Sequence, residues 1–138
     1  MSWQSAYPIA ALAGSILSAC TQAGNGAAAA DLTGVGWKIT DIAGRSLLVG
    51  STATLQFDNE GRAGGNSSCN SYGVGYQISG RRITFEQPFS TMMACEPALM
   101  EQERALFELL PQIRNFDIGH DGALVLIAED GRTIIGRR

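Results

Sequence analysis

Apolar residues recur in runs of strand length along this chain, and turn formers separate the runs every few positions; that rhythm limits the fold more than any single motif. Within "ATLQF", Ala53, Leu55 and Phe57 alternate with Thr54 and Gln56, the two-residue period of a half-buried strand. "DNEG" at residues 58–61 follows as a hairpin loop. In "YGVGYQI", Tyr72, Val74, Tyr76 and Ile78 share one face, and Ser79-Gly80 turns the chain into "RRITF", where Ile83 and Phe85 repeat the pattern. Before these, "VGWKIT" leads through "DIAGR" to a short run, "SLLVG". After them come "NFDI", "ALVLIA" and "RTIIG", joined by turns in which Asp121-Gly122 and Asp130-Gly131 are strong hairpin signals. The unbroken apolar residues 124–127 predict a strand covered on both faces.

One segment departs from this period. "EPALMEQERALFELLP" has Pro97 at a first helical position, good helix formers behind it and Pro111 to stop it. At about 100° per residue, Leu99, Met100, Leu106, Phe107 and Leu110 share one side of that helix. Glu103 falls in the same stripe, so its carboxylate is either solvated at the helix margin or buried against a cation such as an arginine. The second arrangement would lock the helix onto the sheet. An α+β class follows: a β-rich, curved antiparallel sheet or partly open barrel, with one α-helix plugging or covering it.

The N-terminal 19 residues carry no charged side chain, and their apolar centre, residues 8–17, has the length of a signal-peptide core but is too short to span a bilayer as a helix. "LSAC" at residues 17–20 resembles a bacterial lipobox, which would make Cys20 the lipidated N-terminus of the mature chain. The segment lacks the Lys or Arg such a signal normally carries, so either the signal is atypical or the true start lies upstream. "TQAGNGAAAAD" then reads as a flexible tether. The expected organisation is a lipoprotein signal at 1–19, a lipidated tether at 20–31 and one folded domain at 32–138. Thr21 after the acylated cysteine points to the outer membrane, on its periplasmic face, if the cell is Gram-negative.

Candidate chemistry is sparse. His120 is the only histidine and stands in the turn "GHDG", where a polar residue needs no catalytic explanation. The glycines of "GRAGGNSSC" lead into a strand without a lysine, unlike a phosphate loop. Cys69 and Cys95 form no CxxC and have no histidine pair, so neither metal nor cofactor is expected. A net charge of −3, with the basic residues dispersed, argues against nucleic acid as a partner. With Cys20 set aside as the lipid acceptor, Cys69 and Cys95 remain as a pair in an oxidising compartment, and a disulfide is favoured over two small buried thiols.

Four stretches together resemble a META domain of the HslJ-like family: "LTGVGWKIT", "LQFDNEGRAGGNSSCNSYGVGY", "ISGRRITFEQPFSTMMACEPALMEQERALFELL" and "GALVLIAEDGRTIIGRR". The most specific elements are Ser68-Cys69-Asn70 with Tyr72, Gly75 and Tyr76, and Ser90-Thr91, Met93-Ala94-Cys95, Met100 and Glu103. Asn70, Tyr72, Tyr76, Thr91 and Glu103 are thereby motif positions. Ser68 stands where the family usually has glycine, so a positive φ there would leave the loop strained or reshaped. Gly73 and Gly75 flank Val74, displaced from the family's glycine pattern, and Gly64 and Gly65 are candidates to supply the loop's flexibility instead.

The resemblance implies a small mixed β-rich fold in bacterial envelope or secreted proteins, linked in some members to heat shock and antibiotic tolerance, and it implies no established enzymatic activity. The expected function is a non-catalytic, lipid-anchored envelope module, stress-related, that binds an envelope protein or small apolar ligand or is itself protective. Two other classes stand beside it. A thiol-dependent enzyme would use Cys69 or Cys95, and a pilotin-like lipid- or secretin-binding protein would need an apolar cavity inside the curved sheet.

Overall fold

The computed structural model describes residues 25–138; the signal segment and Cys20 lie outside them. The elements run α1 (Asn25–Leu32), β1 (Gly36–Ile42), β2 (Arg45–Ser46), β3 (Ala53–Phe57), β4 (Arg62–Asn66), β5 (Ser71–Ser79), β6 (Arg82–Phe85), β7 (Phe89–Ser90), α2 (Pro97–Leu109), β8 (Ile113–Ile118), β9 (Leu124–Ala128) and β10 (Thr133–Arg137). The strand order β10-β9-β8-β6-β5-β4-β3-β1 closes on itself because β1 also pairs antiparallel with β10, Lys38 opposite Arg137. The result is a closed eight-stranded antiparallel barrel, with β2 and β7 as additional short strands. Closure removes the open sheet edges that a curved sheet would leave.

An eight-stranded barrel is just wide enough for its own side chains to fill. Trp37, Leu55, Ile83, Phe116, Leu124, Leu126 and Ile134 are fully buried there, joined by Phe57, Tyr72, Val74 and Phe85. The two helices close opposite ends. α1 sits where β3 ends, through the Thr33–Phe57 bridge, and the Trp37 indole donates a 3.2 Å hydrogen bond to the Leu32 carbonyl. The guanidinium of Arg138 lies 5.2 Å from the centre of the Trp37 ring. α2 closes the end where β4 finishes and β5 begins, burying Leu106 and Leu109, and the 3-10 turn that follows it (Leu110–Gln112) buries Leu110.

Several local expectations are corrected. The glycine-rich "RAGGN" forms β4 rather than a loop, paired from Arg62↔Gly75 to Asn66↔Ser71. A Cβ on Gly65 would stand 2.4 Å from the Thr54 carbonyl oxygen, and one on Gly64 2.4 Å from that of Tyr72. These glycines serve close backbone approach, not flexibility. Of "SLLVG", only Ser46 belongs to a strand. β9 alternates, with Leu124, Leu126 and Ala128 buried and Val125 and Ile127 half-buried, so it is not covered on both faces. On α2, Met100 is 39% exposed and Leu109 takes a core position, because the helix is rolled relative to the expected stripe. The alanine run of the expected tether ends in α1, in keeping with alanine's helix propensity, and Leu32 is buried.

The acidic turns work as local templates. Asp121 accepts from the Ala123 amide at 3.1 Å and from Arg137 at 2.9 Å, and Asp130 accepts from the amide and side chain of Arg132. For Asp121 the Ala123 amide, then Arg137, holds the carboxyl below its ordinary value.

Gly65→Ala should destabilise the barrel by about 2 kcal/mol, within the usual range for forced overpacking, whereas Gly36→Ala should stay within about 0.5 kcal/mol, since a Cβ there meets only the movable Gln56 side chain at 3.2 Å. Urea unfolding midpoints of the two variants measure the difference, and equal midpoints would show that β3 and β4 are not held this close.

Candidate functional site

Between β7 and α2 the chain crosses the α2-capped end of the barrel as an irregular strap, residues 91–96, directly above the loop 67–70 that joins β4 to β5. Asn70, 3% exposed, links the two. Its side-chain oxygen accepts from the Thr91 hydroxyl at 2.9 Å and from the Met93 amide at 2.7 Å. Its side-chain amide donates to the Met93 carbonyl at 3.3 Å and to both carboxylate oxygens of Glu103 at 3.0 Å. An Asn side chain offers two donor hydrogens and two acceptor lone pairs, and each group here is engaged.

Glu103, on α2, is not paired with an arginine, which corrects that sequence-based alternative, and it lies between the solvated and the buried one. It is half-buried and accepts from neutral donors: the Ser67 hydroxyl, the Asn70 side chain and the Asn70 amide, the last at 3.1 Å. Hydrogen bonds to a carboxylate are stronger than neutral ones, so these donors replace an ion partner. The expected consequence holds by this other route: the helix is fastened to the barrel.

A covalent bond adds to the polar one. Cys69 and Cys95 are joined with an S–S distance of 2.08 Å and Cα atoms 6.0 Å apart, across a sequence separation of 26. Closing a loop of that length stabilises by about 3 to 4 kcal/mol in the chain-entropy treatment. Ser68, at the apex of the loop, has φ 86°, the left-handed conformation for which glycine is suited. Its amide donates to the Asn66 side chain at 2.7 Å and its hydroxyl accepts from Gln102 at 3.0 Å, which hold the turn in that conformation.

The other motif residues separate. Tyr72 lies beside this network but points into the barrel, donating to the Thr54 carbonyl at 2.8 Å; burial pushes its phenol far above the ordinary value. Tyr76 is remote, hydrogen-bonded to the Asp58 carbonyl at the α1 end and edge-on to Phe57 at 5.1 Å. His120 is exposed in its turn. Ser67 and Gln102 were not singled out from sequence. Ser67 carries no signal beyond small size and polarity, and Gln102 is revealed only by the loop folding back to it, where it accepts from the Leu48 amide at 2.8 Å.

Chemically, the cluster is closed. Ser67 faces a carboxylate that could serve as a base, but at 1% exposure no substrate reaches its hydroxyl, and both cysteine sulfurs are consumed in their bond. Among the described residues, no group of three His, Cys, Asp or Glu side chains is arranged to hold a metal ion. Outside the cluster the strap is different: Met92 is 94% exposed and Met93 60%, and Phe89 just before them is 70% exposed, its ring seated over Gly73.

Residues 30–137 match the META domain. The chain belongs to this family. Among solved structures, the META fold recurs in an NMR structure of a protein from Burkholderia xenovorans, with TM-score 0.65 and 24% identity over 83% of this chain and 88% of the other. A second NMR structure of a protein aligns with TM-score 0.63 and 18% identity, covering 78% of this chain and 92% of that one. No curated protein matches. At these identities the structural likeness establishes the fold of the META domain.

Substitutions at two positions test this geometry. Ser68→Gly removes a left-handed strain of about 1 to 2 kcal/mol, more than the roughly 0.5 to 1 kcal/mol of chain entropy that glycine adds, so the unfolding midpoint should rise; Ser68→Val should lower it, and the reverse order would remove the claim of strain. Asn70→Asp should cost more than Asn70→Ala at neutral pH, because the new carboxylate faces that of Glu103. Repulsion raises the proton affinity of the introduced group above its unfolded value, so the deficit is full above that raised value and shrinks as acid protonates the group. Thermal melts of both variants between about pH 7 and 4 give the comparison, and a deficit that does not depend on pH would exclude the contact.

Proposed function

We propose that this META domain is a non-catalytic, lipid-anchored module of the cell envelope, held by Cys20 and acting as a stress-related binding or protective element. The observation that carries the reading is the contrast at the α2-capped end. Ser67, Thr91 and Glu103 are tied into the Asn70 network and both cysteines into the disulfide, while Phe89, Met92 and Met93 are held in water by the backbone those bonds fix. Exposed apolar side chains on a rigid backbone suit recognition, because little conformational freedom is lost on contact. The bond between Cys69 and Cys95 weighs against a thiol-dependent enzyme. A pilotin-like lipid carrier is not favoured either, since the barrel interior is filled by Trp37, Phe116 and the surrounding aliphatic core.

Position along the chain supports an envelope module facing outward from its anchor. Any tether to Cys20 joins the barrel through α1, and the strap lies at the opposite end, turned away from a membrane to which that cysteine is fixed. Expressed from its full sequence in a Gram-negative host, the protein should partition with the outer-membrane fraction and take up labelled palmitate. Cys20→Ala should abolish both and leave the melting temperature of the barrel unchanged. Unlabelled protein in the cytosol would overturn the anchored reading.

A further inference from the structure

We propose that Met92 and Met93 form an oxidant-accepting site: a pair of thioethers that takes oxygen from a peroxide or hypohalous acid while the fold beneath stays intact. Three independent observations place it. The two sulfur-bearing side chains are adjacent in sequence and stand 94% and 60% exposed, and neither belongs to the buried core. The backbone under them is fixed from below, since Asn70 binds both the amide and the carbonyl of Met93 and the hydroxyl of Thr91. The cysteines of the domain are already bonded to each other, so no thiolate beside the strap competes for the oxidant.

The chemistry is a two-electron oxygen transfer. With hypochlorous acid, the thioether sulfur gives up two electrons and gains one S=O bond, the O–Cl bond is lost, and the products are the sulfoxide, chloride and a proton. With hydrogen peroxide, the O–O bond breaks and water leaves. Each methionine consumes one equivalent, and the sulfoxide is returned to the thioether by methionine sulfoxide reductases. Oxidation converts the most exposed apolar part of the strap into a polar one, and because the hydrogen bonds that fix the strap involve backbone and not sulfur, the change stops at the surface. Met100 is the internal comparison: it is 39% exposed and lies on α2 beside Phe107 and Gln87.

The site rests on the strap's geometry and not on the anchored reading, and its test has a separate readout. The Cys20→Ala chain, whose remaining cysteines are bonded to each other, is titrated with hypochlorous acid and mapped by peptide mass spectrometry. Met92 and Met93 should reach half conversion at a dose roughly three-fold or more below that for Met100, with the melting temperature unchanged to within about 2 °C after both have reacted. Reductase treatment should restore the starting masses. The double variant Met92→Leu, Met93→Leu should melt like the parent and take up two fewer equivalents. Conversion of Met100 at the same dose, or a melting temperature that falls in step with oxidation of the strap, would overturn the proposal.

Discussion

The side chain of Asn70 is the contact on which the α2-capped end depends. A barrel end is a place where strands diverge and backbone groups lose their ladder partners, and each buried group left unpaired costs about 1 to 3 kcal/mol. Here one side chain ties its own loop to a stretch more than twenty positions away in sequence, holding the strap through Met93 and Thr91 and helix α2 through Glu103. No aliphatic residue could substitute, because the strap presents both a donor and an acceptor to the same point. An aspartate could not either, because α2 presents a carboxylate. The disulfide between Cys69 and Cys95 repeats this attachment one residue earlier, limiting the unfolded chain where the amide orders the folded one.

The barrel explains why these segments meet. Antiparallel strands β4 and β5 bring loop 67–70 to one rim, β6 and β7 return the chain to that rim, and α2 must cross it to reach β8. Closure also requires small residues where strands approach most closely. Gly64 and Gly65 allow β4 to lie against β3 and β5, while Gly73 leaves room on the outer face for the ring of Phe89. An aromatic side chain laid over a cross-strand glycine covers backbone that the missing side chain would expose. The exposed phenyl ring is therefore partly structural, unlike the two methionines that follow it.

Much of this was legible in the sequence where a local rule applies. Alternation in "ATLQF" and "YGVGYQI", the Asp-Gly turns and the Pro-bounded helix each carry their signal within a few residues. β4 was not legible, since a glycine selected for close approach looks the same as one selected for a turn, and the atom it avoids belongs to Thr54 or Tyr72. The fate of Glu103 was hidden for a related reason. Helical periodicity placed it on the buried stripe, and general electrostatics then called for solvent or an arginine. Its actual donors, Ser67 and Asn70, come from a loop more than thirty positions away in sequence. Ser68 lies between these cases: its motif position raised the question of a positive φ, and only the backbone answers it.

The same geometry separates two kinds of surface that composition cannot distinguish. At the α1 end, Trp37 is sealed under Arg138 and hydrogen-bonded to Leu32, so the largest side chain of the core is turned inward where the N-terminal segment joins. In the loop and strap of the α2 end, Ser67 and Asn70 are buried while Met92 and Met93 are exposed, the reverse of the usual partition. This inversion has a physical cost at both levels, desolvation of Asn70 and Glu103 beneath and hydration of Met92 and Met93 above. It is stable because the lower layer satisfies its hydrogen bonds internally and the upper layer is held by its backbone. A strap fixed in this way keeps its shape whatever happens to its outer side chains, and that independence makes the chemistry of those side chains, rather than the fold, the variable at this end of the molecule.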